Sequence, residues 1–226
     1  MAAYVRNWPN SGRHGSSTEV ARDTAERHIA LGASVMNIAL RRPMSLAEFL
    51  AWEERQELRY EFDGFQPVAM VGGTAAHATV QRNLVTALTN RLRGSRCQPF
   101  GSELKIEVAG SIRYPDAFVV CTPVERNAKV VHDPVVIFEV LSPGTARVDR
   151  VTKNAEYRQT DSILRYVMLE QDSQAATVFA REGDRWVGSL LTGEAVLSMP
   201  EIGIEVPLAE LYDGLDLTRS PGEASE

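Results

Sequence analysis

Nowhere does the 226-residue chain approach the ~18 consecutive apolar residues that a membrane-spanning helix requires, which excludes a protein built into a bilayer through helices. The opening residues, MAAYVRNWPNSGRHGSS, lack the apolar core of a secretory signal. Cysteine is scarce. Cys97 and Cys121 are the only two, and their spacing matches neither a metal site nor a paired disulfide framework. Cys121 ends an apolar run and reads as a small buried hydrophobe. These absences together lead us to expect a reducing, cytoplasmic setting. Positive charge is also in short supply. The formal net charge is −6, which argues against a protein that coats nucleic acid nonspecifically. Residues 1–43 hold six arginines against three acids, so the rest of the chain carries a net −9. A nucleic-acid partner would have to be gripped by a local basic surface.

What remains is an ordinary globular composition, 44% hydrophobic and 24% charged, long enough for one sizeable α/β domain. Residues 1–43 mix Asn, Pro, Gly, Ser and Arg and read as a poorly ordered leader, or as sequence ahead of a later start at Met36 or Met44. The patterned domain spans 44–215, and 216–226 form a tail. Ser45-Leu46-Ala47-Glu48 is a capping box that opens a helix to about Glu54. Leu58–Phe62 and Phe65–Val71, joined at Asp63-Gly64, read as a hairpin with a tight turn. Thr74 is the expected N-cap of a long helix that stops at Gly94, with Val80, Leu84, Ala87, Leu88 and Leu92 on one apolar face. Strands are expected over Glu103–Val108, Tyr114–Cys121, Val135–Leu141, Leu164–Glu170, Ala175–Arg181 and Arg185–Leu191. Helices are expected over Asp149–Arg158 and 207–213. No internal repeat is visible. The pattern predicts a mixed α/β fold around one central sheet.

Two acids stand out because of their surroundings. Asp116, in RYPDAFVV, sits where apolar residues take over, and Pro115 holds the strand entry extended. Its alternative role is a cap or turn. Glu139 interrupts the otherwise apolar run VVIFEVL. A carboxylate there needs a metal ion, a lysine or an arginine as partner, because burying it alone is costly; a structural salt bridge is its alternative. Asp149, Lys153 and Tyr157 follow at i, i+4 and i+8 on one helical face, one loop beyond the Glu139 strand. A solvated stripe is the plain reading of that spacing. The other is that Lys153 turns back over the strand's C-terminal end, where open α/β sheets commonly build sites. Two acids would suit Mg²⁺, which binds through one or two carboxylates and leaves its other positions to water and phosphate.

The ordered set of YPDAFVV, FEVLSPGT and the Asp149…Lys153…Tyr157 helix resembles the Uma-type restriction-endonuclease family, a branch of the PD-(D/E)XK nuclease superfamily. The resemblance runs over roughly residues 44–215 and includes RYEFDGFQPVAM, His77 and the aliphatic strand Ile163–Leu169. It implies a restriction-endonuclease-like mixed central β-sheet flanked by helices and preceded by a helix and a β-hairpin. It also implies a Mg²⁺-dependent endodeoxyribonuclease, with Mn²⁺ as the natural substitute, in which water activated by the metal hydrolyses phosphodiester bonds. Asp116 and Glu139 would hold the metal, and Lys153 and Glu61 would complete the catalytic set. The superfamily's lysine would stand at 141, which is Leu141 here; in this branch it is displaced to Lys153. His77, Asp149, Tyr157 and Arg150 would hold Lys153 in place or touch the substrate. Glu61 has an exposed hairpin position as its alternative, and His77 a backbone-satisfied helix start.

Arg82, Arg91, Arg93 and Arg96, with Arg147, Arg150 and Arg158, are candidates to grip phosphate, although a solvated helix face is the alternative for the first four. DNA is the expected substrate and a homodimer the expected assembly, since two-fold symmetry suits cutting both strands. Two readings compete. One is a catalytically inactive nuclease fold that serves as a nucleic-acid-binding or dimerisation module. The other is a hydrolase of small phosphoesters, favoured by the negative domain.

Overall fold

The computed structural model describes residues 42–70, 72–142, 144 and 146–217; most of the expected leader, and the tail beyond 217, lie outside them. The strands are β1 (Tyr60–Phe62), β2 (Pro67–Ala69), β3 (Gln98–Gly101), β4 (Lys105–Val108), β5 (Ser111–Arg113), β6 (Ala117–Val120), β7 (Val130–Val131), β8 (Pro134–Leu141), β9 (Arg165–Glu170), β10 (Ala175–Glu182), β11 (Arg185–Thr192), β12 (Val196–Met199) and β13 (Ile204–Pro207). The helices are α1 (Leu46–Glu53), α2 (Ala75–Leu92), α3 (Ala146–Val148), α4 (Asn154–Gln159) and α5 (Leu208–Leu211), with a π-helical turn over Asp149–Lys153 between α3 and α4.

The fold is mixed α/β, as expected. Instead of one sheet, the described residues form two large sheets and a two-stranded ribbon. The central sheet runs β11-β10-β9-β8-β6-β3, with β8 and β9 parallel and its other pairs antiparallel. The second runs β2-β1-β5-β4-β7, and β12 pairs with β13. The second sheet could not be anticipated because its middle strand, β5, is only three residues long. The β4–β5 turn is Ala109-Gly110, both at positive φ. This is a two-residue hairpin turn without the Asn-Gly or Asp-Gly signature that advertises one.

The local start signals did form. Ser45 Oγ accepts the Glu48 N–H at 3.2 Å, while Glu48 Oε2 accepts the Ser45 N–H at 2.8 Å. Thr74 Oγ1 accepts the His77 N–H at 3.1 Å and caps α2. The hairpin loop is wider than the expected tight turn. It spans 63–66, and Asp63 Oδ1 accepts the N–H groups of Phe65 (2.9 Å) and Gln66 (2.7 Å). Gly64, at φ +86°, supplies the left-handed residue this requires.

The central sheet is covered on both faces, which is why β8 reads as an almost unbroken apolar run. On one face Val80, Leu84 and Leu88 of α2 meet Val136, Phe138 and Val140. On the other, Ile137 and Leu141 pack with Tyr157, Tyr166 and Phe118. Period-two alternation puts Glu139 on this second face. In the antiparallel β6–β8 register, Ala117 lies opposite Phe138. One step further, Asp116 faces Glu139 and shares its side of the sheet.

The two cysteines correct an expectation. Cys97 and Cys121 lie one residue beyond the opposed pair Gln98 and Val120 and are joined in a disulfide. The chain leaves β3, builds β4 and β5 in the other sheet, and returns as β6 beside its starting point. That closure is invisible in a 24-residue spacing. The bridge also removes the cysteine argument for a reducing compartment. Closing a loop of this length is worth about 3 kcal/mol. The paired substitution Cys97→Ser with Cys121→Ser should therefore lower the unfolding free energy by about 2–4 kcal/mol, and the denatured, unreduced protein should show no free thiol. Two titratable thiols would contradict the bridge.

Candidate active site

The site is assembled where the two sheets meet. Leaving β5, the chain runs Arg113-Tyr114-Pro115-Asp116 into β6, so one short segment belongs to both sheets. Pro115 lacks an N–H and loses nothing at the crossing. On the five-stranded side, β1 presents Glu61, whose Oε1 accepts the Tyr114 N–H at 3.2 Å. On the six-stranded side, Asp116 Oδ2 accepts the Val140 N–H at 2.7 Å, a carboxylate standing where a ladder carbonyl would. Gln81 of α2 donates to the Asp116 carbonyl at 3.0 Å and fixes the strand entry.

Lys153 lies at the centre. Its Nζ is 3.0 Å from Glu139 Oε1, 3.2 Å from Glu61 Oε1 and 3.1 Å from Asp149 Oδ1. Tyr157 Oη donates to the same Glu139 oxygen at 2.9 Å. The sequence placed Asp149, Lys153 and Tyr157 on one α-helix. The structure brings the three together through the π turn, in which the Asn154 N–H reaches the Asp149 carbonyl five residues back. Tyr166 Oη also donates to that carbonyl, at 3.1 Å. Such wide turns recur at functional sites.

Burial sets the electrostatics. It pushes the Glu139 carboxyl up to about 8, with Lys153 opposing and Asp149, Asp116 and Glu61 reinforcing the rise. Burial also works against the Lys153 ammonium, but Glu139, Glu61 and Asp149 outweigh it, and its pKa is raised. Lys153 is therefore a fixed cation at neutral pH.

Two residues that sequence reasoning missed complete the framework. Arg113, 2% exposed, donates to Glu61 Oε2 at 3.1 Å and, through a fork, to both oxygens of Glu156 at 2.6 and 2.7 Å. It ties β1 to α4, the helix that follows Lys153, and so fixes Glu61 and the lysine relative to each other. Burial opposes its charge, yet Glu156 and Glu61 more than compensate, and its pKa is raised. A planar fork between two carboxylates is a task for arginine and not lysine. The available signal was an arginine inside the apolar SIRY segment just ahead of Pro115.

The remaining candidates divide. His77 Nε2 lies 3.2 Å from Asp116 Oδ2, so it belongs to the site. Gly73 crosses against its ring; a Cβ there would come 2.9 Å from His77 Nδ1. Arg150 is drawn away to Glu170 at 2.5 Å. Arg91 is committed to Glu210 at 2.5 Å and to the Glu205 carbonyl at 2.7 Å, holding α2 to the β13–α5 region. Arg158 lies over the Trp186 ring. Of the expected phosphate grips, Arg91, Arg150 and Arg158 thus have structural partners.

A cleft of about 260 Å³ opens over Glu61, Asp116, Glu139, Asp149, Lys153 and His77. Among the described residues no group of three His, Cys, Asp or Glu side chains is arranged to hold a metal unaided. Two carboxylates plus water and phosphate are nevertheless what Mg²⁺ uses. Four carboxylates against one lysine and one histidine also leave the cleft short of positive charge. The donor set fits a hard divalent cation on Asp116 and Glu139.

The hydrogen bond to Asp116 raises the His77 pKa above 6.5, with burial opposing and the Asp116 charge assisting. The raised value means that this contact contributes stability fully below about pH 6.5, and that the contribution fades as pH rises through the folded-state pKa. An NMR titration should place the His77 midpoint above that of a free imidazole and return it toward the free value in Asp116→Asn. An unchanged midpoint in the variant would contradict the pairing.

The site can be set beside known proteins. Residues 46–209 match the model of Uma2, described as "putative restriction endonuclease". The uncharacterised protein slr1290 of Synechocystis sp. is 30% identical over 176 residues, covering 76% of this chain and 93% of that protein. A second Synechocystis protein, sll1609, is 26% identical over 166 residues, covering 71% and 94%. The crystal structure of a "putative nuclease belonging to DUF820" from Anabaena variabilis superposes with a TM-score of 0.63 at 20% identity, covering 75% of this chain and 98% of that one; the likeness is one of fold. With the family model matched from the capping-box helix to α5, this chain belongs to the Uma2 family, described as putative restriction endonucleases.

Proposed function

We propose that the protein is a metal-dependent nuclease that hydrolyses phosphodiester bonds in DNA, with Asp116, Glu139, Lys153 and Glu61 as its working residues. The observation that carries this reading is the Lys153 ammonium held within 3.2 Å of three carboxylates, beside Asp116, in one cleft. Water adds to phosphorus, the P–O ester bond breaks, and the two ends leave as a phosphomonoester and an alcohol. Asp116 and Glu139 would hold Mg²⁺, or Mn²⁺ in its place, which when bound polarises a phosphoryl oxygen and acidifies water.

The protein's own groups supply the rest. Lys153 keeps its proton, so it acts as a preorganised positive charge toward the negative charge that builds on the phosphoryl oxygens, and not as a proton acceptor. Glu61 and Asp149 hold the ammonium, and Tyr157 fixes the Glu139 oxygen that Lys153 touches. Arg113 keeps Glu61 in register. His77 and the Val140 N–H orient Asp116. We further propose a homodimer, the commonest closed assembly of identical chains. The family is consistent with a nucleic-acid substrate, and no helix among the described residues is long and apolar enough to cross a membrane.

Purified protein should cleave DNA with added Mg²⁺ or Mn²⁺. Asp116→Ala and Glu139→Gln should each lower the rate on the order of 100-fold or more. Lys153→Met should do the same, but removing one partner of a buried pair costs on the order of 3–5 kcal/mol of stability, so its melting curve must be read alongside. Calorimetry should detect Mn²⁺ binding that is lost in Asp116→Ala. Cleavage that survives in both acid variants would refute this site, and a protein that binds no Mn²⁺ would be an inert scaffold.

A further inference from the structure

The lining of the cleft above its charged floor is mostly aliphatic. Val68 and Ala69 come from the hairpin strand β2, Met70 follows directly after it, and Val148 stands at the end of α3. Val68 is 41% exposed and Val148 43%, so these side chains are not core residues that happen to border a void. They are apolar surface presented at the mouth of a polar site. Among the described residues that line the cleft, Lys153 is the only lysine or arginine, and its charge is already taken up by Glu61, Glu139 and Asp149. Arg150, beside the cleft in sequence, is paired with Glu170.

A continuous duplex presents phosphates and sugars to an approaching protein, and gripping it takes rows of lysine and arginine aimed at those phosphates. This rim offers aliphatic carbon in their place. The part of a nucleic acid that rewards such a surface is the flat face of a base, and that face is available only when the base is out of the stack. A volume of about 260 Å³ is small even for a site that encloses a ligand, since such pockets run from roughly 300 to 1,000 Å³. It leaves room for about one base and its phosphate.

We infer that the cleft takes a single unpaired nucleotide, its base against Val68, Met70 and Val148 and its phosphodiester over Asp116 and Glu139, so that the substrate is single-stranded or locally unpaired DNA. The inference rests on the nuclease reading and narrows its substrate. It assigns the two exposed valines as specificity-determining residues.

Anisotropy can follow a fluorescent oligonucleotide as a single strand and annealed to its complement, using the full chain with Ca²⁺. Cleavage of the same two substrates is then compared with Mn²⁺. The single strand should bind and be cut at least about tenfold better, the size of one base contact of about 1.4 kcal/mol. Val68→Ser combined with Val148→Ser should erase most of that preference while leaving the melting temperature unchanged, because both side chains are exposed. Equal or better binding and cutting of the duplex overturns this inference and leaves the nuclease reading intact. So does a strand preference that survives the double substitution. Mn²⁺ binding without binding of either DNA form also overturns it, and competition by a nucleoside monophosphate as strong as by the oligonucleotide would assign the site to small phosphoesters. Failure to bind Mn²⁺ would count against the nuclease reading itself.

Discussion

A carboxylate set into the middle of an aliphatic strand must be answered by positive charge, and around Glu139 that answer is Lys153. Left alone, a buried carboxylate would give up its charge, because water solvates it far better than a protein interior does. The Lys153 ammonium at 3.0 Å opposes that loss, against the burial and neighbouring acids that lift the Glu139 carboxyl to about 8, and the rest of the site follows from this contact. The lysine has to arrive from a following helix, so the chain after β8 turns back at once. Three carboxylates then crowd one ammonium, and the negative excess has to be contained by Arg113 on one side and tolerated on the cleft side.

This arrangement assigns distinct tasks to the two sheets. The six-stranded sheet supplies Asp116 and Glu139 on adjacent strands, in fixed register. The five-stranded sheet supplies Glu61. The segment 113–116 belongs to both, and Arg113 clamps the joint by bonding Glu61 on one strand and Glu156 on the helix after the lysine. A second buried pair, Lys105 with Glu53 at 2.5 Å, braces the opposite side of Tyr114, whose hydroxyl donates to Glu53 at 2.8 Å. Tyr114 thus stands between two polar networks, one open to the cleft and one holding α1.

What could be read from the sequence was local. The two capped helix starts, the apolar face of α2 and the misfit of Glu139 in VVIFEVL are all decided by neighbours within a few residues. Asp116 and Lys153 became readable once Glu139 demanded a partner and the family resemblance supplied an order. What could not be read depends on chain segments that meet only after folding. The Arg113 clamp joins residues 43 and 52 positions apart. The Cys97–Cys121 bridge depends on β6 returning to β3. The π turn has no residue signature, and the second sheet hangs on a three-residue strand with an unadvertised turn. Arg91, Arg150 and Arg158 looked available in the sequence, and their partners within the fold, Glu210, Glu170 and Trp186, likewise come from distant segments.

For the proposed nuclease chemistry, Asp116 and Glu139 must face one cation site with the Lys153 ammonium at its edge. Diffraction from a crystal soaked in Mn²⁺, with an anomalous difference map, tests this most directly. The expected result is a single strong peak within about 2.0–2.3 Å of an oxygen from each of the two acids, with Lys153 still against Glu139. A map with no peak in the cleft at saturating Mn²⁺, or one whose ion sits on other side chains, would contradict it.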